Sequence, residues 1–354
     1  MEMLMKTLQK LFLVGICILL VGALAAPSAE AQQVFQKRAQ TGMKFLVAGL
    51  AARQTALGES FTSVEGGAEA MFYNPAGMAR LDPFVDVTFG KMEWLADMNH
   101  TYAAVAISPW NGDYGVLGFT FHYVDYGSIQ ATIRYDNEDG YLDVGTFTPY
   151  AYEAGVTYAR ALSNKFSLGG SIKFVKQDLG TSILDLQRDG GGNVSGDSVT
   201  SSYKNSVDVY AYDFGVLYRT GIKSLVFGMT VRNFAREVAY QKESFQLPLI
   251  FKMGISMNVL DVWDLDPTMQ SLLVTVDADH PRDYPEQIRI GAEYVFARTI
   301  ALRLGYVSPA DEHSISYGLG LMQTVGGAHF AIDYSYTPFG IFDNIQRFSF
   351  QFQF

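Results

Sequence analysis

The chain has 354 residues, with 36 acidic against 26 basic side chains and a formal net charge of −10. An acidic chain of this kind argues against a nucleic-acid partner. Aromatic residues make up 14% of it, with 25 Phe, 21 Tyr and 34 Gly, yet mean hydropathy is only +0.08, so the apolar residues are dispersed rather than blocked into helices of membrane-spanning length.

At the N-terminus Lys6 and Lys10 precede an apolar run from Leu11 to Ala26, followed by Pro-Ser-Ala29-Glu-Ala31. A basic start, an apolar run and an Ala-x-Ala site predict a signal peptide over residues 1–31 with cleavage after Ala31. The alternative is a membrane anchor, but the run is short for a span and no positively charged stop follows it. Cys17, the one cysteine, falls inside the apolar run. The mature chain would then hold no disulfide and no Cys-ligated metal.

Residues 32–83 do not alternate. The stretch from Met43 to Gly58 is rich in small residues, and Gly66 and Gly67 read as a turn. Ala68 to Tyr73 is expected to form a short helix that ends before Pro75, because the residue ahead of a proline is pushed out of the helical region. A compact segment of this size in front of a barrel reads as a plug, with Asn74, Pro75, Ala76 and Gly77 as its motif.

From residue 84 the pattern changes to period 2. Strands are expected near 84–94, 101–109, 114–132, 141–162, 166–180, 207–220, 224–240, 248–260, 271–279, 286–296, 299–307, 313–323, 328–337 and 343–354. That is about fourteen, an even number as in closed single-chain barrels. In the later strands the alternation is plainest. Ile300, Leu302, Leu304 and Tyr306 oppose Ala301, Arg303 and Gly305, and Phe330, Ile332, Tyr334 and Tyr336 oppose Ala331, Asp333 and Ser335. One face is bulky and apolar and the other small or charged. This is the inside-out arrangement of a membrane barrel, lipid outside and a polar lumen within. Connectors at 163–165, 220–223 and 297–298 are short, whereas 181–206, with its Gly-rich centre, is expected to be a flexible polar loop on the outer side. The chain closes on Arg347-Phe-Ser-Phe-Gln-Phe-Gln-Phe354. The row Phe348, Phe350, Phe352 and Phe354 resembles the C-terminal recognition signal of outer-membrane barrels.

The lumen-facing charges would be Arg289, Glu293, Arg303, Asp333 and Arg347. Two readings are open. They pair with one another in a narrow lumen, or they form ion pairs that hold the plug through Arg53, Glu65 or Glu69. The five histidines show no metal-ligand spacing. A nucleophilic site on the outer face would need His122 there with a Ser and an orienting third group, but Phe121 and Tyr123 fall on the face opposite His122, so the outer face could be theirs instead. No Gly-rich strand–helix turn suggests a nucleotide. The residues therefore point to no cofactor, no metal and no enzyme. Trp94, Trp110, Tyr150 and Tyr306 are expected in the interfacial aromatic girdle.

Gly42-Met-Lys-Phe-Leu, Ala51-Ala-Arg53, Ala56-Leu-Gly58-Glu and Ala68-Glu-Ala-Met-Phe-Tyr-Asn74-Pro75-Ala76-Gly77 resemble the opening of the PorV/PorQ family. Asp333-Tyr-Ser-Tyr-Thr-Pro-Phe-Gly340 followed by Arg347-Phe-Ser-Phe resembles its ending. That family is distantly similar to the FadL fatty-acid channels. The resemblance implies an all-β membrane protein: a fourteen-stranded transmembrane barrel over 84–354 with an N-terminal hatch over 32–83, in the outer membrane of a Gram-negative-type bacterium. It implies a binding or shuttle role in type IX secretion, with outer-membrane lipid, a translocon and the C-terminal domains of secreted cargo as partners. The alternative it implies is a FadL-like channel with a hydrophobic ligand.

Overall fold

The computed structural model describes residues 41–354 apart from 136, 189–193, 264, 265, 267, 311, 312 and 343, and over 183–188 and 194–201 it describes the backbone course only. The expected signal peptide and residues 32–40 lie outside the described residues. In chain order the strands are β1 (Val85–Glu93), β2 (Asn99–Ile107), β3 (Val116–Asp125), β4 (Ile129–Arg134), β5 (Tyr141–Phe147), β6 (Tyr150–Ala161), β7 (Phe166–Arg188), β8 (Val194–Arg219), β9 (Val226–Ala235), β10 (Val238–Ala239), β11 (Ser244–Phe245), β12 (Ile250–Asn258), β13 (Gln270–Pro281), β14 (Gln287–Phe296), β15 (Ile300–Ser308), β16 (Ile315–Val325), β17 (Ala328–Thr337) and β18 (Ile345–Gln353). All except β4, β5, β10 and β11 form one closed barrel of fourteen strands. Closure is made by β1 against β18, antiparallel, with Phe89 opposite Phe350 and Asp86 opposite Gln353.

The polarity of the wall is inverted relative to a soluble sandwich. Along β15, Ile300, Leu302 and Leu304 are exposed while Ala301, Arg303 and Val307 are buried. Along β17, Phe330 and Ile332 face outward and Asp333 and Ser335 are buried. Phe348, Phe350 and Phe354 of the closing strand and its end are exposed too. An apolar outer belt over a polar interior suits a hydrocarbon solvent. Most barrel strands hold nine to twelve residues, enough to cross the apolar band when tilted.

Three connections differ from the expectation. The predicted strands 114–132 and 141–162 each break. At Asp125 the carboxylate accepts the Gly127 N–H at 2.9 Å and Gly127 takes φ 77°, so the chain turns out of the ladder. The residues beyond it form the separate hairpin β4–β5. The expected polar loop over 181–206 is instead largely β-ribbon. β7 and β8 are 23 and 26 residues long and stay paired past the point where β6 stops, at Tyr150–Asp178, with register shifts beyond Asp178. The strand expected over 224–240 ends at Ala235, after a bulge opposite Tyr212–Phe214 where Asn233 takes φ 61°.

One end of the barrel carries mainly short connections, such as those after Ala161, Phe296 and Val325; we call it the turn end. The other, the loop end, carries β4–β5 and the ribbon. The chain ahead of β1 runs between the two. Gly42 N–H bonds Gln246 O, beside β11 at the loop end, at 3.1 Å. Ser108 Oγ, just past the end of β2 at the turn end, bonds Leu81 O at 3.1 Å. Between these points the segment has little regular structure: a helix at Ala52–Ala56 and three 3-10 turns at Lys44–Val47, Ala68–Phe72 and Pro75–Met78. Its apolar side chains, among them Leu57, Phe61, Met71 and Met78, are buried with inward residues of the strands such as Tyr102, Ala104 and Val116. The segment therefore occupies the lumen.

Candidate functional site

The candidate site is the contact between the N-terminal segment and the inner wall. Glycines on the strands bring the two backbones together. A Cβ at Gly305 would overlap the backbone of Leu57 and Gly58, one at Gly228 the carbonyl of Thr62, and one at Gly169 the peptide between Pro75 and Ala76. Small residues on the inward face of the strands thus serve a specific purpose. They let an irregular segment lie against the wall without a gap, and packing at that distance has dense van der Waals contact.

Polar groups fix the segment's path. Asp277 on β13 accepts the backbone N–H of both Phe61 and Thr62 at 3.0 Å. Ser349 on β18 accepts Ala52 N–H at 2.7 Å, Arg347 donates to Gly49 O at 2.8 Å, and Thr55 shares a 2.9 Å hydrogen bond with Ser335. An irregular backbone cannot satisfy itself as a helix or sheet does, so its N–H and C=O groups require such partners when buried.

The charges named from the sequence sit in three places. Arg53 donates through Nε and Nη2 to Glu293 at 2.9 and 2.8 Å, and approaches Glu69 at 3.4 Å. Arg303 bridges Glu293 and Asp333 at 2.5 and 2.6 Å. These five form one buried network joining the segment to β14, β15 and β17. Arg289 pairs instead with Asp279 at 2.5 Å and donates to Gly58 O at 3.0 Å, and Arg347 holds Gly49. Glu65 does not enter the lumen network. It pairs at the turn end with Arg219, Nε to Oε1 at 2.7 Å, and with Arg80 at 3.6 Å. Burial pushes the Glu69 carboxyl up to about 7, Arg53 opposing and Asp333 and Asp86 reinforcing the shift.

The motif Asn74–Gly77 lies against β7, β8 and β9. The Asn74 carboxamide oxygen accepts Ala76 N–H at 3.0 Å and so caps the Pro75–Met78 turn. Its nitrogen donates to Thr62 O at 2.6 Å and to Val216 O on β8 at 3.2 Å. Pro75 supplies the first position of that turn, where its missing N–H costs nothing. Gly77 N–H returns to Asn74 O at 2.9 Å, and Gly66 N–H bonds Gly77 O at 3.1 Å. Phe350, Phe352 and Phe354 lie far from this site, on the outer belt; Phe352 packs on Phe330 at 4.9 Å between ring centres.

Sequence reasoning missed a second polar cluster on the opposite arc of the wall. His100 and His122 share a 2.9 Å hydrogen bond, Glu153 lies 3.7 Å from both His122 and Lys173, and Lys173 reaches Asp213 at 2.8 Å and Asn233 at 2.7 Å. The signal was present in the alternation: His122 stands opposite Phe121 and Tyr123 in direction, so its face is the inner one. Trp94, expected in the girdle, is turned inward against Phe339 at 5.9 Å. Among the described residues no group of three His, Cys, Asp or Glu side chains is placed to hold a metal.

A family model described as type IX secretion system membrane protein PorP/SprF matches residues 133–349. The resemblance read from the sequence was to PorV/PorQ, which this match does not name; the two meet at type IX secretion. No curated protein matches. Solved structures that share the fold include two channels. The toluene transporter TodX of Pseudomonas putida is 11% identical, with a TM-score of 0.55 over 86% of this chain and 97% of that one. The CymD monoaromatic hydrocarbon channel is 13% identical, with a TM-score of 0.54 over 86% and 98%.

Proposed function

The chain belongs to the PorP/SprF family of type IX secretion system membrane proteins, and from that premise we propose that it is a plugged outer-membrane barrel serving protein export as a binding or shuttle component rather than as a conduit. The observation that supports this reading most is the occupied lumen. Residues 41–83 are tied to strands on several sides of the wall by backbone-to-glycine contact and by the Arg53–Glu293–Arg303–Asp333 network. A secreted protein does not pass through a lumen so filled. The work of such a barrel falls to its projecting parts, which here are the β7–β8 ribbon and the β4–β5 hairpin. Loops held on a rigid scaffold are common recognition elements. The partners proposed are a translocon and the C-terminal domains of secreted cargo, and no catalytic role is assigned.

The test is replacement of 185–203 by a short Gly-Ser linker. The barrel ladder ends below this stretch, so folding should be retained while native pull-down from the outer membrane loses secreted cargo and translocon. Unchanged co-purification would overturn the reading.

The second reading, a FadL-like channel for hydrophobic small molecules, is favoured by the fold shared with two hydrocarbon channels. It predicts that a bulky change at Ala76, which lies against Gly169, slows uptake of a labelled hydrophobic solute and leaves cargo export untouched.

A further inference from the structure

Beyond the wall β8 keeps only one of its two neighbours. Its ladder with β9 runs no further than Ala211, opposite Ala235, while its pairing with β7 continues outward past Ser206, opposite Asp178. Among the described residues no strand pairs with β8 on the β9 side above Ala211. The next strand in the chain, β10, is bonded to β11 in a separate two-stranded sheet.

The direction of the main-chain groups follows from two bonds at the foot of the strand. Arg219 N–H bonds Lys165 O on the β7 side at 2.7 Å, and Thr220 N–H bonds Leu225 O on the β9 side at 3.1 Å. Alternate residues of an antiparallel strand address opposite neighbours, and the register with β7 is unbroken from Tyr218 to Ser206. Tyr210, Asp208 and Ser206 therefore point their N–H and C=O groups away from β7, to the side that β9 has left.

The chain from Val238 to Gln241 lies over the inner face of the ribbon rather than along this edge. Val238 is buried with the inward-facing Val209, Tyr240 donates to Gln177 at 2.7 Å and Gln241 to Asn205 at 3.4 Å. On the outer face Tyr210 packs edge-on against Phe174 at 5.5 Å. This pair belongs to the outward aromatic rings, so the edge above it stands where lipid gives way to water. Asp208 is exposed there and Ser206 partly so.

Unpaired N–H and C=O groups along a strand are a template for another strand, and hydrocarbon does not satisfy them. The arrangement that β9 has lower down requires a guest running outward, antiparallel to β8. The β8 of a second copy in the same membrane runs inward and does not fit. Asp208 on the outer face favours a basic or hydroxyl residue opposite it, and Val207 and Val209 on the inner face favour an apolar one.

We propose that the free edge of β8, from Tyr210 outward along the ribbon, receives an extended strand from the C-terminal domain of exported cargo, with apolar and polar side chains alternating, in the place that β9 holds lower down. This assignment rests on the export reading and gives it a mode of recognition: main-chain pairing supplies affinity, and the alternating side chains supply selectivity.

The test is hydrogen exchange of the full mature barrel in detergent, alone and with the purified C-terminal domain of one exported protein. In the barrel alone the amides of Ser206 and Asp208 should exchange at least about tenfold faster than those of Val207 and Val209, which address β7. Adding the domain should slow exchange over 204–210 by about tenfold or more. Ser206→Pro removes a donor on the free side and leaves the β7 ladder intact, whereas Ser206→Ala keeps the donor. The Pro variant should bind the domain at least about tenfold more weakly than the Ala variant. If the Pro variant fails to fold, the exchange measurements on the wild type decide alone. Binding that is lost on replacing 185–203, yet is equal in the two Ser206 variants or leaves exchange over 204–210 unchanged, would overturn strand addition and keep the export reading. Absence of binding by the intact barrel would overturn both. Protection of 204–210 that grows with barrel concentration in the absence of the domain would assign the edge to a second copy and overturn the proposal as well.

Discussion

Arg53, on the helix Ala52–Ala56 inside the lumen, grips Glu293 of β14 with two parallel hydrogen bonds of 2.9 and 2.8 Å. The two residues lie 240 positions apart in sequence. Forked Arg–carboxylate geometry fixes orientation as well as distance, so this pair sets where the helix sits. Glu293 also receives Arg303 at 2.5 Å. Replacing Glu293 by Leu removes the carboxylate that two guanidiniums share, leaving Arg303 with Asp333 and Arg53 with the 3.4 Å contact to Glu69, and should cost about 3 kcal/mol. Arg53→Leu should cost less, because Arg303 still holds Glu293. The double variant should cost less than the sum by about 0.5–3 kcal/mol. Urea titrations of the barrel refolded into lipid would measure all three, and strict additivity would show that the pair does not couple.

Gly169 and Gly170 are neighbours on β7 with opposite surroundings. A Cβ at Gly169 meets the peptide between Pro75 and Ala76, whereas one at Gly170 finds its nearest atom, Asp213 O, at an ordinary 3.6 Å. Gly169→Ala should therefore push the Asn74–Gly77 turn off the wall at about 1–3 kcal/mol, and Gly170→Ala should be near neutral. If the lumen segment acts as a plug, Gly169→Val should also raise planar-bilayer conductance. Equal stability of the two Ala variants would remove this contact as a determinant of packing.

The barrel was legible because lipid on one side and a polar lumen on the other force period 2 on every spanning strand. Ile300 to Tyr306 and Phe330 to Tyr336 show it residue by residue. Most of β4 and all of β5 were read as strand, but as parts of the strands 114–132 and 141–162 rather than as a hairpin of their own, and the far half of the β7–β8 ribbon was read as a loop. Beyond the wall no hydrocarbon faces a strand, so the lipid-side alternation that marks the barrel strands is not imposed there. The inward charges Arg289, Glu293, Arg303, Asp333 and Arg347 could be read from their faces. Their partners could not, since which one meets Arg53 or Gly49 depends on the path of an irregular segment with no period of its own. Glu65 illustrates this: its partners Arg219 and Arg80 lie at the turn end, two charges that alternation alone did not single out.

Ile332 and Ser335 on β17 provide a test of the wall's two faces. Ile332 is 49% exposed on the outer belt, so Ile332→Arg should cost about 2–4 kcal/mol near the bilayer midplane. A spacious polar lumen would accept arginine at Ser335, but Ser335 is fully buried and bonded to Thr55. Ser335→Arg should displace the helix Ala52–Ala56 and so be costly as well. The two costs should separate on changing the solvent. Moving from lipid to detergent should ease the Ile332 variant, where the belt is softer, and leave the Ser335 variant unchanged. The same response in both would contradict the assigned faces.

Glu69 gives the lumen network a pH dependence. Its carboxyl is buried and raised from 4.5 to about 7, so between those values the folded barrel keeps a proton that the unfolded chain has released. Where the native state binds more protons, stability falls as pH rises. Below 4.5 both states are protonated and Glu69 adds no slope; above about 7 the penalty is complete. The gap, at about 1.4 kcal/mol per pH unit, sets a ceiling of about 3 kcal/mol. The groups facing Glu69 are Arg53 from the helix, Asp333 from β17 and Asp86 from β1. Glu69→Gln removes the titration while keeping the side chain's shape. The wild type should thus lose stability relative to Glu69→Gln as pH is raised from 4.5 to 7.5, and the difference should level off at both ends. Denaturation curves of the two proteins in the same lipid across that range would measure it. A difference that stays flat, or one that grows in the wild type's favour with rising pH, would mean that Arg53 holds Glu69 ionised and that the burial of this carboxyl does not govern its charge.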